Sequence, residues 1–374
     1  MKVAIFGGSF DPVHLDHINI AKTLVYELCL DKLYIIPTFI APHKKNMEAV
    51  SGEHRLNMLK LAFEGEDKIC VCDYELIKQG VSYSYQTVEH FYDTLKPEKL
   101  YFIVGSDMLE NFPTWKNPER ILDKASLVLV ERRNGENQDD KAIIAIKSLY
   151  DKGVTTVKVH GETVSSTKLR VYLKLGLSLD GLTDIKVEDY IKSNDLYKGD
   201  KYYEYIAKNI PEKRKYHIAG VILTAISLAK KLGADEKKAE LSALLHDVAK
   251  YENLSNFPSF SLPSETPKDI VHQYLGEYIA KTVLEVSDNE VLTAIKYHTT
   301  GRPNMSLLEK IIYVADIIEP SRKFLGVEEL REEIKKDFFL GFKICLEEIV
   351  EFLLKTGTEV YPLTLDALNY YKEN

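Results

Sequence analysis

Two histidines, His14 and His17, close the run Gly7-Gly8-Ser9-Phe10-Asp11-Pro12-Val13-His14-Leu15-Asp16-His17. Residues at that spacing share a face on one helical turn, so both imidazoles would point the same way. Gly7 and Gly8 let the backbone come close to an anion, and N–H groups at a helix start hold phosphate. Imidazoles facing such a cradle can hydrogen-bond the charge that builds up during nucleotidyl transfer. A glycine pair alone is an ordinary tight turn; the whole string carries the reading.

A second constellation lies in the other half of the chain. His246-Asp247 falls within the apolar run 241–249, and Asp316 within the apolar run 311–318. Buried carboxylates are costly unless they are paired or bind a metal. His217 opens a helical pattern continued by Val221, Thr224 and Leu228, while His272 and His298 fall on two more helices. A lone histidine on an apolar face is usually a satisfied core residue. Two such acids with four histidines are hard to explain without a cation.

The elements that must position these residues differ between the halves. Up to about residue 195, candidate strands at 3–6, 32–36, 69–73, 100–104, 127–131 and 155–159 alternate with helical patterns. That alternation predicts an α/β fold with a doubly wound parallel sheet, whose ligands bind beyond the carboxyl ends of the strands. Gly7 to His17, Pro42-His43-Lys44 and Gly105-Ser106-Asp107 all fall at such ends. Lys44 would add a cationic contact for a phosphate. Ser165-Ser166-Thr167-Lys168-Leu169-Arg170 opens a late helix, where hydroxyls cap and the bases add charge. Trp115, the only tryptophan, stands on a loop where stacking a ring and packing the core are equally open.

From about residue 198 the strand signals stop. Helices are expected at 202–209, 214–232, 236–251, 267–285, 289–298, 306–319, 327–356 and 363–373, an all-α second domain. The polar joint Tyr197-Lys198-Gly199-Asp200 sets the expected domains at 1–197 and 198–374.

A formal net charge of −8 argues against a general nucleic-acid binder. No apolar run is long enough to span a membrane. The chain opens directly on a strand, which predicts no signal peptide. Four cysteines show no framework or metal spacing, as expected of a reducing cytoplasm.

The first string resembles the signature of the H-x-G-H nucleotidyltransferase superfamily. With Ser165 to Arg170, Gly105-Ser106-Asp107, Arg55-Leu56-Asn57-Met58, Tyr83-Ser84-Tyr85-Gln86-Thr87 and Val187-Glu188-Asp189-Tyr190-Ile191, the likeness narrows to the nicotinate-nucleotide adenylyltransferases. It implies a Rossmann-like fold, Mg²⁺, and adenylyl transfer from ATP to nicotinate mononucleotide. Catalytic roles would fall to His14 and His17, on the ATP phosphates. Gly7, Gly8, Ser9, Phe10, Lys44, Ser165, Ser166, Thr167 and Arg170 would line the nucleotide phosphates, and Gly105, Asp107, Trp115 and Thr87 the pyridine nucleotide. Asp16 stands where that family usually has glycine. A carboxylate near a polyphosphate must turn away or meet a cation. Pantetheine phosphate and nicotinamide mononucleotide stay open as other acceptors.

The order His217, His246-Asp247, His272, His298, Asp316 resembles the HD phosphohydrolases. His246-Asp247-Val248-Ala249-Lys250, residues 297–302, residues 309–316 and Ile318-Glu319-Pro320-Ser321-Arg322 look like the symmetrical diadenosine tetraphosphate hydrolases of that type. The likeness implies cleavage to two ADP at a site of His217, His246, Asp247 and Asp316 holding Fe²⁺/Fe³⁺ or Mn²⁺. His272 and His298 would bind a second ion or, preferably, a substrate phosphate. Asp247 and Lys250 would act in catalysis, with Thr299 and Arg322 on the nucleotide and Arg302 a further candidate. A guanosine alarmone or dNTP substrate, or a non-catalytic sensing module, are the other readings, and a homo-oligomer is compatible with all of them.

Overall fold

A computed structural model describes residues 1–40, 50–132, 138–159 and 164–373. The chain divides into two compact units, Met1–Arg170 with Leu179–Tyr197, and Val171–Ser178 with Lys198–Asn374.

The first unit is built on β1 (Lys2–Gly8), β2 (Lys32–Pro37), β3 (Ile69–Val71), β4 (Lys99–Gly105), β5 (Ser126–Arg132) and β6 (Val154–Val159). They form one parallel sheet in the order β3-β2-β1-β4-β5-β6, the predicted α/β arrangement. Its central strands are continuous apolar runs; Val3, Ala4, Ile5 and Leu127 to Leu129 have no exposed surface. Such runs belong to sheets covered on both faces. The helices of this unit are α1 (Leu15–Glu27), α2 (Gly52–Ala62), α3 (Tyr74–Lys78), α4 (Ser84–Leu95), α5 (Ser106–Asn111), α6 (Pro118–Leu122), α7 (Gln138–Tyr150) and α9 (Ile185–Ser193), while α8 (Ser166–Lys174) starts in it and ends in the second unit. The strand order turns back between β1 and β4, so the loops after these two strands flank the switch point where doubly wound sheets bind ligands. Gly7 to His17 and Gly105 to Asp107 lie there.

The second unit is helical among the described residues: α10 (Lys201–Asn209), α11 (Glu212–Leu232), α12 (Glu236–Leu245), α13 (Val271–Thr282), α14 (Asn289–Lys296), α15 (Leu307–Ile318), α16 (Val327–Lys336), α17 (Phe338–Lys355) and α18 (Pro362–Glu373). Ile218, Ala219, Val221 and Ile222 of α11 and Ile311, Ile312, Val314 and Ala315 of α15 are fully buried in one core. No helix among the described residues is long and apolar enough to cross a membrane.

Three expected helices differ. The helix expected at 236–251 ends at Leu245, and Val248 N–H to Leu245 O and Lys250 N–H to Asp247 O close tight turns beyond it. The helix expected through His298 likewise ends at Lys296. The single helix expected at 327–356 breaks at Asp337, whose backbone is extended and whose carboxylate accepts the N–H groups of Phe339 and Leu340. A short acceptor at that place starts a new helix. Replacing Asp337 with alanine is expected to cost about 1 kcal/mol of the second unit's stability, read as a lower urea midpoint in the helical circular dichroism signal.

Candidate functional site

β1 delivers the chain to a turn held from many sides. Phe10 adopts φ +47° and buries its ring edge-on to Phe6 at 5.4 Å and to His17 at 4.9 Å. Positive φ is uncommon for a residue with a side chain. Gly8 lies under that ring: a Cβ there would stand 3.0 Å from it. At Gly7 a Cβ would meet nothing within 4 Å, so the cradle is open on that side.

His14 is the N-cap of α1 rather than part of it, with an extended backbone. Its N–H donates to Nδ1 of His17 at 3.3 Å, and the two rings stack with centroids 3.6 Å apart. The imidazoles share a face by stacking across the cap. With Nδ1 accepting, a neutral His17 carries its proton on Nε2, a donor suited to a phosphate oxygen.

The carbonyls of this turn are drawn outward. Buried Arg55 donates to Ser9 O at 2.8 Å, Thr38 O at 2.7 Å and Val50 O at 3.0 Å. Arg170 Nη1 donates to Asp11 O at 2.6 Å, Ser166 Oγ to Pro12 O at 2.9 Å and Thr183 Oγ1 to Val13 O at 3.0 Å. The Tyr197 hydroxyl donates to Asp11 Oδ1 at 2.6 Å. Asp16 resolves its own puzzle, since its buried carboxylate accepts the Val164 N–H at 3.1 Å and so is solvated by the protein.

Other expected contacts fall out unevenly. Ser165 Oγ accepts the Lys168 N–H at 3.2 Å, and Thr167 Oγ1 accepts from Arg170 at 3.1 Å. Asp107 is exposed in the first turn of α5, capped by Gly105. Trp115 is half-buried, its ring 5.3 Å from Phe112 and 6.2 Å from Phe102, so packing accounts for part of it. Thr87 is buried and donates to Glu75 Oε1 at 2.6 Å, which turns its hydroxyl into the core. Lys44 lies outside the described residues.

In the second unit, helix ends bring the acids and imidazoles to one point. His217 Nε2 lies 3.1 Å from Asp316 Oδ1, 3.3 Å from His246 Nε2 and 3.7 Å from Asp247 Oδ2. His246 Nε2 lies 3.1 Å from Asp247 Oδ2. The other oxygen of Asp247 faces the remaining pair, 3.5 Å from His272 Nε2 and 4.0 Å from His298 Nε2, and these two nitrogens are 3.2 Å apart. His246, Asp247 and His298 are almost wholly buried. His246 and Asp247 stand just past the end of α12 and His298 just past the end of α14, which corrects their expected places inside helices.

Residues 5–171 match the cytidylyltransferase-like family, and residues 214–321 match the HD domain. A Mycoplasma genitalium protein named "Probable nicotinate-nucleotide adenylyltransferase/Ap4A hydrolase" is 30% identical over 338 residues, which are 86% of this chain and 88% of that protein. The chain belongs to this two-domain family. A Halalkalibacterium halodurans protein named "Bis(5'-nucleosyl)-tetraphosphatase, symmetrical" is 41% identical over 176 residues, 45% of this chain and 94% of its own length. A Borreliella burgdorferi protein named "Probable nicotinate-nucleotide adenylyltransferase" is 36% identical over 197 residues, 53% of this chain and 97% of its own.

The HD match implies divalent-metal binding, and the donor set fits it. Donors about 2.1 Å from a small cation stand about 3 Å from one another when adjacent, close to the spacing of His217, His246, Asp247 and Asp316. Asp247 Oδ1 is buried with no hydrogen-bond partner, an orphan that a cation satisfies. Burial, then neighbouring positive charge, pushes His272 down to about 3 and His298 down to about 4. Both are therefore neutral imidazoles at pH 7. Burial favours a protonated Asp247, but His246, Arg214 and His298 win and hold it well below the usual carboxylate range.

Sequence reasoning missed two partners of this centre. Arg214 pairs with Asp247 Oδ2, and Glu319 accepts from His217 Nδ1 at 3.0 Å. Arg214 stands one turn before His217 on α11, the one signal that pointed to it. Arg322 binds Asp316, through Nε to its carbonyl at 2.8 Å and through Nη2 to its carboxylate. Lys250 Nζ lies 3.4 Å from His272 Nε2, and Thr299 Oγ1 3.3 Å from the same nitrogen. Arg302 is committed elsewhere, in a bidentate pair with Glu309 at 2.7 and 2.9 Å.

The Asp16 tie gives a direct test. Asp16→Ala is expected to destabilise the first unit by about 1–3 kcal/mol in urea titrations, and Asp16→Asn, which keeps an acceptor, by less.

Proposed function

We propose that this chain is a bifunctional enzyme. Its first unit transfers the adenylyl group of ATP to nicotinate mononucleotide, and its second hydrolyses diadenosine tetraphosphate to two ADP. The observation that carries the reading is the pairing, in one chain, of the stacked His14–His17 cap at a sheet switch point with two His/Asp clusters sharing Asp247.

In the first reaction the 5′-phosphate of nicotinate mononucleotide attacks the α-phosphorus of ATP, and pyrophosphate leaves. No protein nucleophile is needed; position and charge stabilisation carry the step. His14, His17 and the N–H groups of the glycine turn bind the triphosphate, with Lys44 on a substrate phosphate, and Mg²⁺ would offset phosphate charge there. Ser165, Ser166, Thr167 and Arg170 act mainly by holding the turn. Asp107, Trp115 and the segment around Thr87 line the pyridine nucleotide.

In the second reaction water adds to one central phosphorus of the tetraphosphate, and the bridging oxygen leaves with the other ADP. His217, His246, Asp247 and Asp316 would hold Fe²⁺/Fe³⁺ or Mn²⁺, which would supply Lewis-acid activation of water and phosphate. Asp247 Oδ1, His272 and His298 repeat the spacing of the first set. That supports a second ion there over a direct phosphate contact. Lys250 and Thr299 border this second set, and Arg322 the first, where they meet the polyphosphate. Four free cysteines support a reducing, cytoplasmic setting.

Replacing His14 with alanine is expected to lower adenylyl transfer by about 10²–10³-fold and leave ADP formation from diadenosine tetraphosphate intact. Asp247→Asn is expected to do the reverse. Chelation should abolish the hydrolysis, and Fe²⁺ or Mn²⁺ should restore it. Absence of ADP from the metal-restored wild-type chain would defeat the hydrolase assignment.

A further inference from the structure

We propose that Glu319 is the positioning residue of the metal centre, acting through His217 and seated in a slot that Gly220 leaves open. This rests on the second unit binding a divalent ion, and it concerns how one ligand is aimed rather than which groups are ligands.

An imidazole coordinates through one nitrogen only if the other carries the proton, so a partner on the far nitrogen selects the usable tautomer. Three of the four histidines have such a partner. His246 Nδ1 donates to Ala243 O at 2.7 Å and His298 Nδ1 to Ile295 O at 2.8 Å, each a carbonyl three residues earlier. His217 Nδ1 instead faces the carboxylate of Glu319 at 3.0 Å, from another helix end. Its proton is thereby placed on Nδ1, and its Nε2 lone pair points at Asp316, His246 and Asp247. A charged acceptor also makes that nitrogen a stronger donor than a carbonyl would.

Glu319 is built for this place. It is fully buried and closes α15, three residues beyond the ligand Asp316. Its carboxylate accepts the Ser321 N–H at 2.7 Å and the Ser321 hydroxyl. Its carbonyl and that of Ile318 are clamped by Arg331 at 2.6 and 2.9 Å. Across from it, α11 turns Arg214, His217 and Gly220 to one side at three-residue spacing. A Cβ on Gly220 would stand 2.4 Å from Glu319 Oε2, so no other residue fits while Glu319 keeps its position. Glycine is disfavoured within a helix, and this contact accounts for one at position 220.

The test measures ion affinity of the full chain, by Mn²⁺ competition against a chromogenic chelator. The melting curve of the metal-free chain and the adenylyl-transfer rate serve as readouts that a loss of fold would move. Glu319→Ala is expected to weaken Mn²⁺ binding by about 10–100-fold. Glu319→Gln keeps an acceptor for the imidazole N–H and is expected to recover part of that loss. Gly220→Ala keeps Glu319 intact and favours the helix, yet should weaken Mn²⁺ binding by displacing the carboxylate. If Glu319→Ala unfolds the second unit, Gly220→Ala and Glu319→Gln decide. Wild-type affinity in folded Glu319→Ala, or in both Glu319→Gln and Gly220→Ala, overturns the positioning role while leaving the metal site standing. A wild-type chain that takes up no ion overturns the metal reading itself, and this inference with it.

Discussion

A carboxylate with no exposed surface sits at the middle of the second unit, and the rest of that unit is arranged around keeping it charged. Asp247 is surrounded by apolar helices, where an unpaired charge would cost several kcal/mol. Its two oxygens are served separately. Oδ2 meets Arg214, His217 and His246; Oδ1 faces His272 and His298. Helices α11, α12, α13, α14 and α15 must therefore converge on one residue. The donors come from within a turn of helix ends or just beyond them in the cases of His246, Asp247, His298 and Asp316, where the backbone can aim a side chain more freely.

The first unit fixes its proposed anion-binding turn by a different physical route. Its turn after β1 includes a non-glycine residue at positive φ, a conformation that persists only when the surroundings over-determine it. Arg55, Ser166, Arg170 and Thr183 supply that over-determination by binding successive carbonyls. A turn fixed in advance does not reorganise when phosphate charge builds up, which is the form in which hydrogen-bond donors contribute most to catalysis. Residues that look like phosphate ligands in the sequence, Arg170 and Ser166 above all, spend their donors on the turn itself.

What the sequence made legible follows from which interactions are local. Parallel strands buried on both faces must be apolar throughout, so the central strands β1, β4 and β5 stand out as runs. Acids inside the runs 241–249 and 311–318 stood out for the same reason, because nothing apolar accommodates them. Helix ends were the weak point. The apolar pattern continues past Leu245 through Val248 and Ala249, so periodicity cannot separate a helix from a helix followed by tight turns. The break at Asp337 hid in a charged stretch for a similar reason. Partners distant in the chain were not legible at all: Glu319 lies 102 residues from His217, and Asp16 148 residues from Val164. Glu75, buried beneath Thr87, gave no sign that it would take that hydroxyl away from a ligand.

Charge type is easy to read from a sequence, while the partner decides what the charge does. Arg302 looks as available as Arg322, yet it closes a bidentate pair with Glu309, itself part of the cap of α15. Arg214 and Arg322 instead sit on Asp247 and Asp316, two of the proposed metal ligands. These two guanidiniums balance the two carboxylates, which helps the acids tolerate burial. A divalent ion held by the proposed ligands would leave excess positive charge there, which an anionic substrate would offset.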